Sequence, residues 1–129
     1  MITFEEVMKS LFYNNLAWYV DMFGKVKSNK TTLFADRNNC TSQAQVEKWL
    51  CINDLMNLAK HFNHDWVPDW TNSSDKKFAI VLTNVQELKF EAVEVSETIF
   101  GFVFFKSAES TLQAIEILGV RKLNLIFLK

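Results

Sequence analysis

Apolar residues recur at every third or fourth position in three segments of the chain, which is the spacing of amphipathic helices. The pattern predicts a short first helix over 4–13, opened by a capping box at Thr3, and a longer second helix over 43–62. The second helix carries two neighbouring apolar rows, so we expect it to be buried on more than one side. A third helix is predicted to begin after Ser107 and to end at Gly119, since glycine suits a helix C-terminus.

Between the second and third helices the pattern changes to runs of strand length. Three such runs, over 78–82, 87–95 and 99–105, are separated by segments of hairpin length, which predicts an antiparallel meander. In the middle run the apolar residues change phase, which indicates a bulge or an edge near Ala92. The predicted fold class is α+β, with this three-stranded antiparallel sheet packed against helices in a single domain over 1–129.

The beginning of the chain is less regular. Residues 1–33 are expected to form an N-terminal helical extension of the domain. Within them, the aromatic run that ends at Gly24 fits either a continued helix or a strand. The pattern leaves both alternatives open.

Composition limits the classes of function. A chain of 129 residues that is 49% hydrophobic can bury a core without a metal or a disulfide. Its net charge of −1 gives no reason to expect nonspecific binding to nucleic acid or to an anionic membrane, although it does not exclude a local patch of charge. The N-terminal segment lacks the basic start of a signal peptide, and no run approaches the ~20 apolar residues of a membrane span. We therefore expect a cytoplasmic protein without membrane contact, in which Cys40 and Cys51 are reduced thiols.

The segment HFNHDWVPDWTNSSDKKF, over 61–78, places two tryptophans four residues apart between the second helix and the first strand. In a structural interpretation Trp66 packs back across the end of the helix, Pro68 fixes the turn and Trp70 covers an edge of the sheet. The aspartates that precede the two tryptophans would then accept hydrogen bonds from backbone or indole donors.

A functional interpretation makes the same segment a binding site. Trp70 would stay partly exposed next to Lys76 and Lys77 and anchor another protein, because tryptophan is enriched among the residues that dominate binding energy. In a nucleic-acid version, Trp70 stacks on a base of a single strand while the two lysines contact phosphate. The predicted binding residues are Trp70, Asp69, Lys76 and Lys77.

Catalytic and metal-binding chemistry has less support in the sequence. His61 and His64, with aspartates nearby, have the chemistry of zinc ligands, but no third ligand follows at a recognisable spacing. Neither histidine has a serine or cysteine partner that would indicate a nucleophilic triad, and three scattered glycines cannot form a phosphate-binding loop. We therefore expect no metal, no cofactor and no enzymatic activity.

Residues 34–128 resemble a group of small uncharacterised proteins found in phages, prophages and other mobile elements of bacteria. The shared pattern is a helix with spaced alanines and leucines, a W-x-P-D-W segment, a lysine and an aromatic residue that open a strand, and F-x-S before a last helix. The matching positions are Trp66, Pro68, Asp69, Trp70, Lys77, Phe78, Phe105, Ser107 and Ala114. The resemblance implies a phage or bacterial origin and an accessory role, and it transfers no catalytic residue.

These observations together predict a function in binding. The leading hypothesis is a non-enzymatic accessory protein of a phage or mobile element that acts by binding a protein of the host or the phage. The alternative is a single-stranded nucleic-acid-binding protein that uses Trp70 with Lys76 and Lys77, and an enzyme comes third. The sequence does not specify the partner or the oligomeric state.

Overall fold

Helices and short antiparallel hairpins alternate along the chain. The computed structural model describes residues 1–34, 38–97 and 101–128. Its elements are α1 (Phe4–Phe12), β1 (Asn15–Val20), β2 (Val26–Thr31), α2 (Gln43–Asn63), β3 (Lys77–Asn84), β4 (Lys89–Val95) and α3 (Ala108–Phe127). The predicted α+β class is confirmed, whereas the single domain stays a prediction. Contacts group the chain into two compact units, over 1–50 and 51–129, and α2 runs from one into the other.

The first unit begins with the predicted capping box. The backbone N–H of Thr3 donates to Oε2 of Glu6 at 2.8 Å, and the N–H of Glu6 donates to Oγ1 of Thr3 at 3.2 Å. These bonds satisfy backbone donors that the first turn of α1 leaves without helical partners. The helix ends at Phe12, one residue before the predicted boundary.

The aromatic run that the sequence left open is a strand. β1 pairs with β2 as an antiparallel hairpin, in register from Asn15 opposite Thr31 to Val20 opposite Val26. On the other side of β1, Trp18 and Cys40 exchange two backbone hydrogen bonds, so β1 has backbone partners on both sides. Strand geometry therefore replaces the helical extension expected over this part of the first 33 residues.

The predicted three-stranded meander is wrong. Over the described residues β3 and β4 form a two-stranded antiparallel sheet, and the third run contributes only a bridge in which Phe105 exchanges hydrogen bonds of 2.9 and 2.8 Å with Phe78. The start of that run, over 99–100, lies outside the described residues. Phe105 pairs with Phe78 of β3, whereas a meander would place the third run beside β4. The Asn63 side chain holds the flanking backbone, because its Nδ2–H donates to the Phe104 carbonyl at 2.8 Å and its Oδ1 accepts the Lys106 N–H at 3.1 Å.

Of the two alternatives predicted near Ala92, the bulge is wrong, since Ala92 pairs regularly with Ile80, whereas over the described residues β4 is an edge strand that pairs with β3 alone. The irregularity in the ladder lies between Leu82 and Asn84, next to the turn. In β4 the successive residues Phe90, Glu91, Ala92 and Val93 are all partly buried, so both faces of this strand are partly covered. A strand covered on both faces loses the simple alternation on which the prediction relied.

The core of the second unit joins α2, β3 and α3. Its buried members are Cys51, Leu55, Ala59, Ile80, Phe105, Ala114, Leu118, Leu123 and Ile126. Gly119 interrupts α3 with φ of 79°, as its predicted role as a helix stop requires, but the chain then returns to helix and carries Leu123 and Ile126 into the core. No helix among the described residues combines the length and apolar character needed to cross a bilayer.

Candidate binding surface around Trp70

The loop between α2 and β3 is a series of tight turns. His64 has a positive φ of 53°, which ends α2, and the N–H of Trp66 donates to the Asn63 carbonyl at 2.9 Å. Further on, the N–H of Asn72 donates to the Asp69 carbonyl at 3.3 Å, and the N–H of Asp75 donates to the Asn72 carbonyl at 3.2 Å. Local backbone bonds therefore hold a segment that has no helix or strand.

Asp75 ties the two ends of this loop together. Its Oδ1 accepts the indole Nε1–H of Trp66 at 2.9 Å, and its Oδ2 accepts the backbone N–H of Asp69 at 2.9 Å. The Asp69 N–H, followed by the Trp66 indole and the charge of Lys77, holds the pKa of the Asp75 carboxyl below its ordinary value. Sequence reasoning missed Asp75, and the only local signal was an acid at the end of a row of turn formers.

Lys77 is buried, although the sequence placed it on the binding surface. Its side chain is 5% exposed, and Nζ donates to the carbonyl oxygens of Asn72, at 3.1 Å, and of Asp75. Nζ also lies 3.8 Å from Oδ2 of Asp75 and 5.2 Å from the centre of the Trp70 ring. The ammonium group therefore supports the loop from inside and contacts Trp70 by a cation–π interaction.

Trp70 is held by its neighbours but remains 37% exposed. Its ring meets Phe104 edge to face, with the ring centres 4.9 Å apart and the planes at 78°. The backbone of Phe104 is itself fixed by the hydrogen bond from Asn63. Trp66 is partly buried, so the two indoles have the expected order of exposure. The contact between Phe104 and Trp70 could not be predicted from the sequence, because nothing in the local pattern links the two residues.

The remaining predicted residues are exposed. Oδ1 of Asp69 accepts the side-chain hydroxyl of Thr71 at 2.6 Å and its backbone N–H at 3.0 Å, and these bonds lower the pKa of the Asp69 carboxyl. The Asp69 carboxylate therefore stabilises the local turn through Thr71. Lys76 is exposed, and its neighbour Lys77 is not.

A groove of about 430 Å³ runs beside Trp70. It is lined by Trp70, Thr71, Asn72, Ser73, Asp75, Lys76, Lys77, Glu94, Val95 and Ser96. Three of the four predicted binding residues therefore line one groove, and Asp69 does not. The end of β4 also lines the groove, and sequence reasoning did not assign it to the site.

The histidines and cysteines lie outside this groove. The ring centres of His61 and His64 are 6.4 Å apart, and His61 packs edge to face on Phe62. Within 1–34, 38–97 and 101–128, no three His, Cys, Asp or Glu side chains are grouped so that they could hold a metal ion. Cys40 and Cys51 are buried thiols, and burial raises the pKa of Cys40.

Comparison of the chain with models of known protein families, with curated proteins and with solved structures gave no match.

Proposed function

We propose that this chain is a non-enzymatic accessory protein of phage or mobile-element origin that binds another protein through the surface around Trp70. The observation that supports this function most directly is the state of the Trp70 side chain. Its indole is more than one-third exposed, yet it is fixed between Phe104 and the buried ammonium group of Lys77.

A fixed indole is suited to act as an anchor. Binding normally costs the conformational entropy of each side chain that becomes ordered at the interface. Trp70 is already ordered by contacts within the chain, so a partner that covers it loses less free energy than one that must order a mobile side chain. Tryptophan is also among the residues that most often dominate the binding energy of protein interfaces.

The groove next to Trp70 has the size and charge of a partner site. At about 430 Å³ it lies within the range of pockets that enclose small ligands or side chains. Lys76 and Glu94 both line the groove, are exposed and carry opposite charges. A rim with both signs of charge favours a protein partner over a uniformly anionic polymer.

The nucleic-acid alternative requires two lysines beside Trp70 that contact phosphate. The ammonium group of Lys77 is directed to the Asn72 and Asp75 carbonyls, and Glu94 adds a negative charge to the same groove. Of the two lysines that line the groove, Lys76 alone is exposed and could contact phosphate. This arrangement supports the alternative less well than the protein-binding function.

Photo-crosslinking can test the proposal. A benzophenone amino acid in place of Lys76 should capture a discrete partner in cells, whereas the same group in place of Val85, an exposed residue of the β3–β4 turn, should not. With the purified partner, Trp70→Ala should raise Kd by about 30-fold. Trp49→Ala removes another exposed tryptophan and should leave Kd unchanged.

Two results would contradict the proposal. The first is a partner whose affinity is the same for Trp70→Ala and for Trp49→Ala. The second is tryptophan quenching by single-stranded oligonucleotides that weakens as salt is raised, because that dependence is characteristic of phosphate contacts.

A further inference from the structure

The tip of the β1–β2 hairpin exposes two adjacent large apolar side chains. Met22 is 89% exposed and Phe23 is 80% exposed. They lie between the last residue of β1 and the first residue of β2, so they project at the end of the hairpin. Isolated apolar residues are common on protein surfaces, but two neighbours at a projecting tip indicate a contact with something outside the chain.

The tip has an ordered backbone. Oδ1 of Asp21 accepts the N–H of Phe23 and the N–H of Lys25, both at 2.9 Å, and the N–H of Asp21 returns a bond to the Lys25 carbonyl. Gly24 adopts the positive φ of 78° that this turn requires, and its N–H donates to the Asp21 carbonyl at 3.0 Å. The turn therefore holds Met22 and Phe23 outward by its own hydrogen bonds.

The charge of the hairpin differs from that of the whole chain. The hairpin is basic, because Lys25, Lys27 and Lys30 outnumber its one acidic residue, Asp21. The complete chain, in contrast, has a net charge of −1. Asp21 is occupied by the turn, and the three lysines are exposed. Lys25 directly follows the apolar pair, and Lys27 lies two residues, or ~7 Å, further along the strand direction.

We propose that this hairpin tip docks on an anionic lipid bilayer, a peripheral contact that differs from the absence of membrane contact expected from the sequence. Met22 and Phe23 enter the boundary between headgroups and acyl chains, and the ammonium groups of Lys25 and Lys27 contact anionic headgroups. The order of the groups along the hairpin, apolar at the end and cationic behind it, matches the order of layers in a membrane interface.

Vesicle flotation tests the docking. The full chain should bind vesicles that contain phosphatidylglycerol more tightly than vesicles of phosphatidylcholine alone, and added salt should weaken the binding. Met22→Ser combined with Phe23→Ser should lower the affinity by at least about tenfold, because the apolar contact is lost. Lys25→Gln and Lys27→Gln should each lower it about fivefold.

Matched variants separate the tip from the rest of the surface. Val85→Ser changes an exposed apolar residue in the other hairpin turn, and Lys106→Gln removes an exposed lysine elsewhere; both should bind vesicles as the wild type does. All variants should keep the wild-type far-ultraviolet circular dichroism and melting temperature, since the changed side chains are solvent-exposed.

Insertion of the tip can be observed separately from adsorption. A nitrobenzoxadiazole label on Phe23→Cys should brighten and shift to shorter wavelength on anionic vesicles, and the same label on Val85→Cys should not change. The proposal is overturned if the two vesicle types bind equally, if the tip variants bind as the wild type does, or if soluble polyglutamate abolishes the difference by binding the hairpin. That last result would assign the tip to an acidic protein.

Discussion

The indole of Trp66 donates its Nε1–H at 2.9 Å to the carboxylate of Asp75, nine positions further along the chain. The second oxygen of the same carboxylate accepts the backbone N–H of Asp69. Asp75 thus joins Trp66, near the start of the loop between α2 and β3, to Asp69, the residue that precedes Trp70. The position of the proposed anchor depends on this carboxylate.

The charge of Asp75 should make the stability of the loop dependent on pH. The pKa of Asp75 in the folded chain is lower than its ordinary value of 3.8, so the carboxylate stabilises the fold above that value. This contribution is lost as the pH falls through the lower, folded pKa. Asp75→Asn should therefore lower the melting temperature at pH 7, and the loss should become smaller as the pH falls below 3.8 and through the folded pKa, because protonated Asp75 also lacks the charge.

The control for this comparison is Glu87→Gln, which changes an exposed acid in the β3–β4 turn. Its melting temperature should differ little from that of the wild type over the whole pH range. A loss for Asp75→Asn that stays constant as the pH falls from 7 through the folded pKa would mean that the charge of Asp75 does not stabilise the loop.

The two tryptophans of the loop should differ in their contribution to stability. Trp66 is partly buried and hydrogen-bonded, so Trp66→Ala should lower the free energy of unfolding by ~3 kcal/mol. Trp70 is more exposed, and Trp70→Ala should cost less than ~2 kcal/mol. Urea unfolding measures both, and acrylamide should quench a variant that retains only Trp70 more strongly than one that retains only Trp66. Equal protection and equal cost would make the whole loop structural.

Lys77 and Lys76 are adjacent, but one is buried and the other is exposed, so the same substitution at each should have different effects on stability. Lys77→Met keeps the length of a buried side chain but removes the donor to the Asn72 and Asp75 carbonyls, so it should lower the free energy of unfolding by ~1–3 kcal/mol. Lys76→Met changes an exposed side chain and should alter it by less than ~0.5 kcal/mol. Chemical denaturation of both variants is sufficient, and a smaller effect at Lys77 than at Lys76 would contradict the buried role.

The core of the second unit can be tested on adjacent residues of α2. Leu55 is 1% exposed and belongs to the core cluster, so Leu55→Ala should cost ~2–5 kcal/mol. Met56 is the next residue and is exposed, so Met56→Ala should cost less than ~1 kcal/mol. A urea midpoint for Leu55→Ala equal to that of the wild type would show that the leucine does not pack as described.

Features set by neighbours in sequence could be predicted from the sequence alone. The capping box at Thr3, the cap at Ser107, the long α2 and the helix break at Gly119 all follow from residues within one or two turns of each other. Periodicity and capping chemistry are local, and the class α+β follows from them. The relative exposure of Trp66 and Trp70 was also predictable, because one follows a helix and the other precedes a polar run.

Features set by distant residues required the tertiary structure. The third run of the predicted meander pairs through Phe105 with Phe78 of β3, and the Asn63 side chain binds the backbone of residues 41 and 43 positions away. The same folding places Phe104 against Trp70 and encloses the ammonium group of Lys77. The hydrophobic pattern of a sequence indicates which positions are buried, but it does not indicate which backbone groups each polar side chain will bind. Those partners are fixed only when segments far apart in the chain come together, because each buried polar group must then find the nearest acceptor or donor.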